Sequence, residues 1–96
     1  ARVVIGEGME TRVIPYATSI GAEWYNPPPD LPASQWLESN RAWINLKMDQ
    51  SYQIIDIGAE PGRANYPLPS SPYYKMELQE ITRREYPFHY PVNPGF

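Results

Sequence analysis

The chain has 96 residues, of which 42% are hydrophobic and 14% aromatic, enough for one small globular domain. Its net charge of −3 and pI of about 5.0 count against a surface that follows a nucleic-acid backbone, because such surfaces are usually basic. The absence of cysteine excludes disulfides and thiolate chemistry. No apolar run approaches the roughly 20 residues of a membrane span.

The first third of the chain predicts a strand followed by a helix. The β-branched run at 2–6 favours a strand, and the chain that opens on it without a methionine is expected to be part of a longer protein. Pro15 leaves two possibilities for the helix: a kink at that position, or a start near Ile14 with the proline in the first turn. Gly21 is placed to end the helix. One helical face is formed by Met9, Val13, Tyr16, Ala17 and Ile20.

The middle third predicts a second strand, short helical segments and the best strand of the chain. The stretch AEWY at 22–25 favours a second strand that a proline run ends. Ser34 and Asn40 are each expected to cap a short helical segment. The run YQIIDI at 52–57 is the clearest strand, which Gly58 ends.

The last third predicts a long loop, a helix and an irregular tail. The loop at 58–70 precedes Ser71 and Pro72, a capping hydroxyl followed by a proline at the first helical position. Tyr74, Leu78 and Ile81 form the apolar stripe of that helix. The tail at 86–96 is punctuated by prolines and is expected to be irregular.

The alternation of strand and helix predicts the fold class. We expect a single α/β domain over 1–96, with a short, largely parallel three-stranded sheet, three helices and proline-rich loops; eleven of the 12 prolines cluster at 27–32, 61–72 and 87–94. Ligand sites in open α/β sheets lie where the carboxyl ends of the strands meet. That edge is therefore where functional residues are expected.

Several charged residues should meet at this edge. The loops after the strands carry Glu7, Glu60 and Arg63, with Asp56 just below them and Glu77 one turn into the last helix. Carboxylates beside an arginine can hold a divalent cation such as Mg²⁺, for which Asp56 and Glu7 are the candidate ligands, or supply a general base beside a bound anion. We therefore predict Glu7, Asp56, Glu77 and Arg63 as catalytic residues.

Each acid also has a structural interpretation. Asp56 can accept hydrogen bonds from the amides of the following turn, and Glu7 and Glu77 can complement helix dipoles. For each acid taken alone, the structural role is favoured over a functional one. The convergence of Glu7, Asp56 and Arg63 at one edge makes the structural and the functional interpretations equally favoured. The stretch GEGM at 6–9 is better explained by a tight turn than by a nucleotide loop, and His89 gives little support for a catalytic triad.

The last helix supplies candidates for substrate binding. Lys75 and Arg84 suggest a small basic strip, enough for a few phosphates, with Ser71 and Tyr74 at the start of the same helix. The alternative is a solvated charged face, in which Glu80 and Arg84 pair four residues apart.

Four stretches carry a resemblance to a known family: VVIGEGMETRV, NRAWINLKM, YQIIDIGAEPGRA and SPYYKMELQEI. In order and spacing they resemble a C-terminal toxin domain of Rhs-type polymorphic toxins, large secreted proteins of bacterial competition. The resemblance spans most of 3–81, with Pro15 and the stretch NPPPDLP as departures. It implies a module of a larger secreted protein that is delivered into the target-cell cytoplasm and neutralised by a cognate immunity protein.

Three functions follow as hypotheses. The first is a metal-dependent nuclease on DNA or RNA, in which Glu7, Asp56 and Glu77 hold the ion and Arg63 or Lys75 binds a phosphate. The second is an enzyme that processes NAD or another nucleotide, as a glycohydrolase or ADP-ribosyltransferase, in which Glu7 or Asp56 stabilises positive charge on the ribose. The third is a non-enzymatic module that binds a protein through its aromatic and proline-rich loops.

Overall fold

The computed structural model of the protein describes residues 1–91. Its strands and helices, in chain order, are β1 (Arg2–Ile5), α1 (Ile14–Ile20), α2 (Trp36–Asp49), β2 (Gln53–Asp56), α3 (Pro72–Arg83) and β3 (Phe88–His89). The strands form one sheet in the order β1-β2-β3, and both pairs are parallel. The predicted class, a small α/β fold with a three-stranded parallel sheet and three helices, is confirmed.

The strands β1 and β2 are buried on both faces because their centres are runs of valine and isoleucine. Val3 pairs with Ile54, and Ile5 pairs with Asp56. Val3, Ile5 and Ile54 belong to one core cluster with residues of α2 and α3, whereas Val4 and Ile55 belong to a second cluster with residues of α1. This alternation follows from the two-residue period of a strand. Asp56 therefore lies on the same face as Ile54, towards α3.

The predicted strand at 22–25 is wrong as a strand of the sheet. Only Glu23 pairs, in an isolated parallel bridge with Val3. Its amide donates to the carbonyl of Arg2 and its carbonyl accepts from the amide of Val4, both at 2.9 Å. The run that begins at Pro27 cannot continue the pairing, because proline has no N–H to donate.

The third strand comes from the tail, part of which is therefore regular rather than irregular. Phe88 and His89 pair with Ile54 and Ile55 of β2. Phe88 packs against the core on the α2 and α3 face. Pro87 directly precedes the pair and Pro91 follows one residue after it, and neither has an N–H with which to extend the pairing. The rest of the predicted tail, 92–96, lies outside the described residues.

The first helix resolves the alternatives that Pro15 left open. A π-helical turn, Met9–Val13, leads into α1, which begins at Ile14 with the proline in its first turn. The amide of Val13 bonds to the carbonyl of Gly8 at 3.0 Å. Gly21 ends α1 in the left-handed conformation, as predicted.

The two other helices give one correction and one confirmation. Asn40 does not cap a helix: α2 is continuous from Trp36 to Asp49, and Asn40 is buried in its middle. The start of α3 is as predicted, because the Ser71 hydroxyl accepts a hydrogen bond from the Tyr74 amide and Pro72 occupies the first turn. None of the helices within 1–91 combines the length and apolar character needed to cross a membrane.

Candidate functional site

A cavity of about 590 Å³ opens where the carboxyl ends of the strands meet. We call it the edge cavity. Its volume lies in the range of cavities that hold small organic ligands. The loop after β1, the loop before α2, the middle of α2 and the start of α3 form its walls. The described residues that line it are Gly6, Glu7, Gly8, Met9, Glu10, Tyr25, Pro27, Trp36, Asn40, Arg63, Ser70, Ser71, Pro72, Tyr73 and Glu77.

Glu7 joins three segments of the chain at one wall of this cavity. It is 1% exposed. One carboxylate oxygen accepts from the amide of Glu60 at 2.9 Å, and the other accepts from the amides of Ser70 at 2.5 Å and Ser71 at 2.6 Å. Burial acts to raise the pKa of Glu7, but these three amides and the Arg63 guanidinium outweigh it, so that the pKa is lowered. Glu7 is therefore an ionised carboxylate that ties the long loop and α3 to β1.

Gly6 and Arg12 fix the loops that hold Glu7. A Cβ atom on Gly6 would lie 2.5 Å from Cγ1 of Ile57, so only glycine allows β1 and the end of β2 to approach this closely. The Arg12 guanidinium donates to the carbonyl groups of Glu7 at 3.0 Å, Ile57 at 2.9 Å and Gly58 at 3.2 Å. The sequence analysis missed Arg12, although it follows the glycine turn by one helical turn.

Asp56 lies beneath the edge cavity and does not line it. It is 1% exposed at the end of β2. The Tyr74 hydroxyl donates to its two oxygens at 2.7 and 2.9 Å, and the Gly58 amide donates at 2.8 Å. Burial raises the pKa of Asp56, although Tyr74, Gly58 and the charge of Arg12 oppose the rise. The bond from Gly58 is the turn interaction that the structural interpretation of this acid anticipated.

Glu77 is an acid of the edge cavity whose pKa is raised, whereas that of Glu7 is lowered. It lies in α3 and is 5% exposed. Burial, reinforced by the negative charge of Asp56, raises the pKa of Glu77 to about 8, although a hydrogen bond from the Asn40 side chain opposes the rise. The carboxyl group is therefore mostly protonated at neutral pH, and a protonated carboxyl beside a cavity can act as a general acid.

The remaining predicted site residues divide into those at the cavity and those away from it. Arg63 lies at the cavity wall, 2.6 Å from Glu60 and 3.6 Å from Glu7. Ser71 lines the cavity at the start of α3, whereas Tyr74 is buried against Asp56.

The structure does not bring the predicted basic strip to the cavity. Lys75 is exposed on α3 and is not among the lining residues. Arg84 follows the opposite end of that helix, where it pairs with Asp49 at 2.5 Å and donates to Asn45 at 2.9 Å. The paired residue that the alternative interpretation assigned to Arg84 was Glu80, which instead pairs with Arg83 at 2.9 Å.

The donor set for a divalent cation is limited. Within 1–91, no group of three or more histidine, cysteine, aspartate or glutamate side chains is arranged to hold a metal ion. The oxygens of Glu7 accept from three amides, and those of Asp56 accept from Tyr74 and Gly58. A cation at either carboxylate would have to displace these bonds. The Mg²⁺ site therefore stays a prediction.

The sequence analysis missed three further residues of the cavity: Tyr25, Trp36 and Asn40. Trp36 is still 37% exposed although its indole nitrogen donates to the carbonyl of Leu31 at 2.9 Å. The oxygen of the Asn40 side chain is buried and accepts no hydrogen bond from the part of the chain that the structure describes. Positions 36 and 40 are one helical turn apart, so their spacing was the signal that could have placed them on one face.

Comparison with protein-family models, curated proteins and solved structures finds no match. The assignment of a function therefore depends on the residues and their geometry.

Proposed function

We propose that this domain hydrolyses the N-glycosidic bond of a nucleotide, with Glu77 as the general acid. The observation that supports the proposal is the position of Glu77: a buried carboxyl group that lines a cavity of about 590 Å³ and whose pKa is raised to about 8. Such a group carries a transferable proton at neutral pH, which an ordinary glutamate does not.

The reaction needs a proton for the departing base and stabilisation of the sugar. The Glu77 carboxyl protonates a ring nitrogen of the base, the glycosidic bond breaks with its electron pair on the base, and the sugar becomes an oxocarbenium ion. Water adds to the anomeric carbon and releases a proton to solvent, from which Glu77 is reprotonated. Atoms and charge balance without a further reactant.

The charge of the cavity suits this reaction. Among the described residues that line it, the carboxylates Glu7 and Glu10 outnumber the guanidinium of Arg63. An excess of negative charge stabilises a developing oxocarbenium ion and disfavours a polyanionic strand. Arg63, at the wall, is the residue that can contact a phosphate of the nucleotide.

The nuclease hypothesis remains a prediction with its own test. It needs a divalent ion on carboxylates that already accept hydrogen bonds from backbone amides and a tyrosine hydroxyl. The glycosidic reaction uses a carboxyl group that is already poised, and it is therefore the better-supported alternative.

The biological setting follows from the family resemblance and is part of the proposal. A domain that removes bases from nucleotides would deplete the nucleotide pool of a target cell, which suits a secreted toxin module. A cognate immunity protein would be required in the producing cell.

The test is an assay of base release. The purified chain is incubated with AMP, GMP, CMP, UMP and NAD, with and without EDTA, and free bases are separated by chromatography. We expect base release that EDTA does not abolish and that falls by at least about 100-fold in Glu77→Gln, whereas Glu38→Gln, an exposed glutamate on α2, retains it. No base release from any substrate, or loss in EDTA together with cleaved DNA or RNA, would reject the proposal.

A further inference from the structure

The side chain of Asn40 has an unfilled hydrogen-bonding role in the edge cavity. It is 2% exposed and lines the cavity from the middle of α2. Its side-chain amide acts on Glu77 as a hydrogen-bond donor that opposes the rise in the pKa of that carboxyl group. Within 1–91, its oxygen is buried without a hydrogen-bond partner. Buried polar atoms are almost always paired in folded proteins, and an unpaired one costs stability. An unsatisfied acceptor in a cavity wall therefore points to a ligand that brings a donor.

Glu77 places a donor beside this acceptor. Because Asn40 acts on the Glu77 carboxyl group as a donor, we assign the proton of that carboxyl group to a ligand atom. The pair thus presents one acceptor and one donor, side by side, to whatever occupies the cavity. A ligand that satisfies both must carry an N–H donor next to an acceptor atom.

The nearby aromatic residues favour a flat ligand group. Tyr25 and Trp36 line the same cavity. Tyr25 is held edge-to-face against Trp43, with ring centroids 5.6 Å apart, while Trp36 keeps part of its ring exposed. Aromatic side chains beside a polar pair are suited to stacking a planar base whose edge is hydrogen-bonded.

From this geometry we infer that the Asn40–Glu77 pair selects adenine as the departing base. The inference rests on the proposed function. The oxygen of Asn40 accepts from the 6-amino group, and the carboxyl group of Glu77 donates to N7, since adenine presents these two atoms side by side on one edge. Guanine has an oxygen in place of the amino group, and it would face the Asn40 oxygen with a second acceptor.

The same contact is productive for chemistry. When the Glu77 proton moves to N7, the purine becomes a better leaving group; the bond between C1′ and N9 breaks with its electrons on the purine, and adenine departs in its N7-protonated neutral form. Nicotinamide leaves NAD as a neutral molecule without any added proton. A protonated carboxyl at the base therefore suits adenine rather than nicotinamide.

The test measures binding, so that it does not depend on turnover. Calorimetric titrations of Glu77→Gln are made with AMP, 7-deaza-AMP, IMP and nicotinamide mononucleotide. The glutamine keeps an N–H donor for N7 but has no proton to transfer. We expect AMP to bind roughly tenfold more tightly than 7-deaza-AMP, which lacks the N7 acceptor, and than IMP, which lacks the amino donor. When each is combined with Glu77→Gln, Asn40→Leu should abolish the preference for AMP over IMP, and Glu38→Gln should keep it.

The outcomes separate this inference from the proposed function. If 7-deaza-AMP or IMP binds as tightly as AMP, if nicotinamide mononucleotide binds more tightly, or if none of the four binds, the adenine assignment is wrong. Base release without adenine preference would leave the glycosidic reaction standing and overturn only the assignment. Adenine-selective binding without base release would overturn the glycosidic reaction and leave the Asn40–Glu77 pair as an adenine-binding site only. If Asn40→Leu does not fold, as judged by circular dichroism, the analogue series alone decides.

Discussion

Glu77 combines burial with a hydrogen-bonded neighbour, and both affect how stability depends on pH. Its pKa is about 8 in the folded protein and has an ordinary value near 4.5 when the chain unfolds. The stability that the neutral carboxyl contributes is therefore fully present below pH 4.5 and is lost as the pH rises to about 8. The difference between the folded and unfolded pKa values of Glu77 corresponds to up to about 5 kcal/mol in the free energy of unfolding.

The variant Glu77→Gln removes this dependence. We expect its melting temperature to fall less than that of the wild type between pH 5 and pH 9, and to exceed it at the alkaline end. Asp56, whose pKa is also raised, contributes a slope of the same sign in both proteins. Glu38→Gln, on the exposed side of α2, is the matched control. Parallel melting curves for wild type and Glu77→Gln would contradict the assigned protonation state.

Glu7 shows the opposite behaviour, because its role is to accept hydrogen bonds from the backbone. In Glu7→Gln, the new amide group faces either the Glu60 amide or the amides of Ser70 and Ser71, donor against donor. We expect a loss of about 2–3 kcal/mol in the free energy of unfolding, measured by urea titration at pH 7. Since the pKa of Glu7 is lowered, the wild-type advantage should disappear as the pH falls below 4.5.

A control for Glu7 is available in the same loop. Glu10→Gln changes an exposed carboxylate that also lines the edge cavity, and we expect its stability to stay within about 0.5 kcal/mol of the wild type. Equal stability of Glu7→Gln and Glu10→Gln would show that the bonds to the loop amides are not needed for folding.

Among the elements, α3 contributes its beginning to the edge cavity through Ser71, Pro72 and Tyr73. The Ser71 hydroxyl accepts from the Tyr74 amide, whereas the Ser71 backbone amide donates to Glu7. Ser71→Ala removes the first bond and keeps the second. We expect thermal unfolding to show a loss of about 1 kcal/mol and catalysis to change by less than about threefold. Ser71→Thr, which keeps a hydroxyl, should restore the stability. A loss of activity in Ser71→Ala without a loss of stability would instead support the predicted role in substrate binding.

Some elements were readable from the sequence because their signals are local. A few adjacent residues were enough to predict three of them: the β-branched runs of β1 and β2, and the Ser71–Pro72 start of α3. The strand β3 was missed because a two-residue strand in a segment rich in proline has no periodic pattern. Asn40 was misplaced as a cap, since an asparagine that caps a helix and one that faces a cavity look alike in a sequence.

At the scale of the molecule, the candidate site could be predicted only in outline. Parallel strands placed Glu7 and Arg63 together and put Asp56 below them, because the carboxyl ends of such strands share one edge. The difference between Glu77 and the other two acids could not be predicted, since it depends on which carboxyl is left without backbone amide donors when the loops close. That depends on the path of the 58–70 loop, which no local pattern determines.

The parallel sheet makes β3, in the described part of the tail, a structural part of the domain. Phe88 pairs with Ile54 and packs, half-buried, against the cluster between the sheet and the α2–α3 pair. Phe88→Ala removes this contact and weakens the packing of β3 beside β2. We expect a loss of about 2–3 kcal/mol in the free energy of unfolding, a little below the cost for a fully buried phenylalanine, measured by urea titration.

The control for this variant is Leu68→Ala, because Leu68 is 67% exposed on the long loop and should change stability by less than about 0.5 kcal/mol. Base release should fall in Phe88→Ala only at temperatures where the domain begins to unfold, since Phe88 does not line the edge cavity. If Phe88→Ala is as stable as Leu68→Ala, the third strand contributes nothing to the fold. The sheet that positions Glu7 and Asp56 would then be held by β1 and β2 alone.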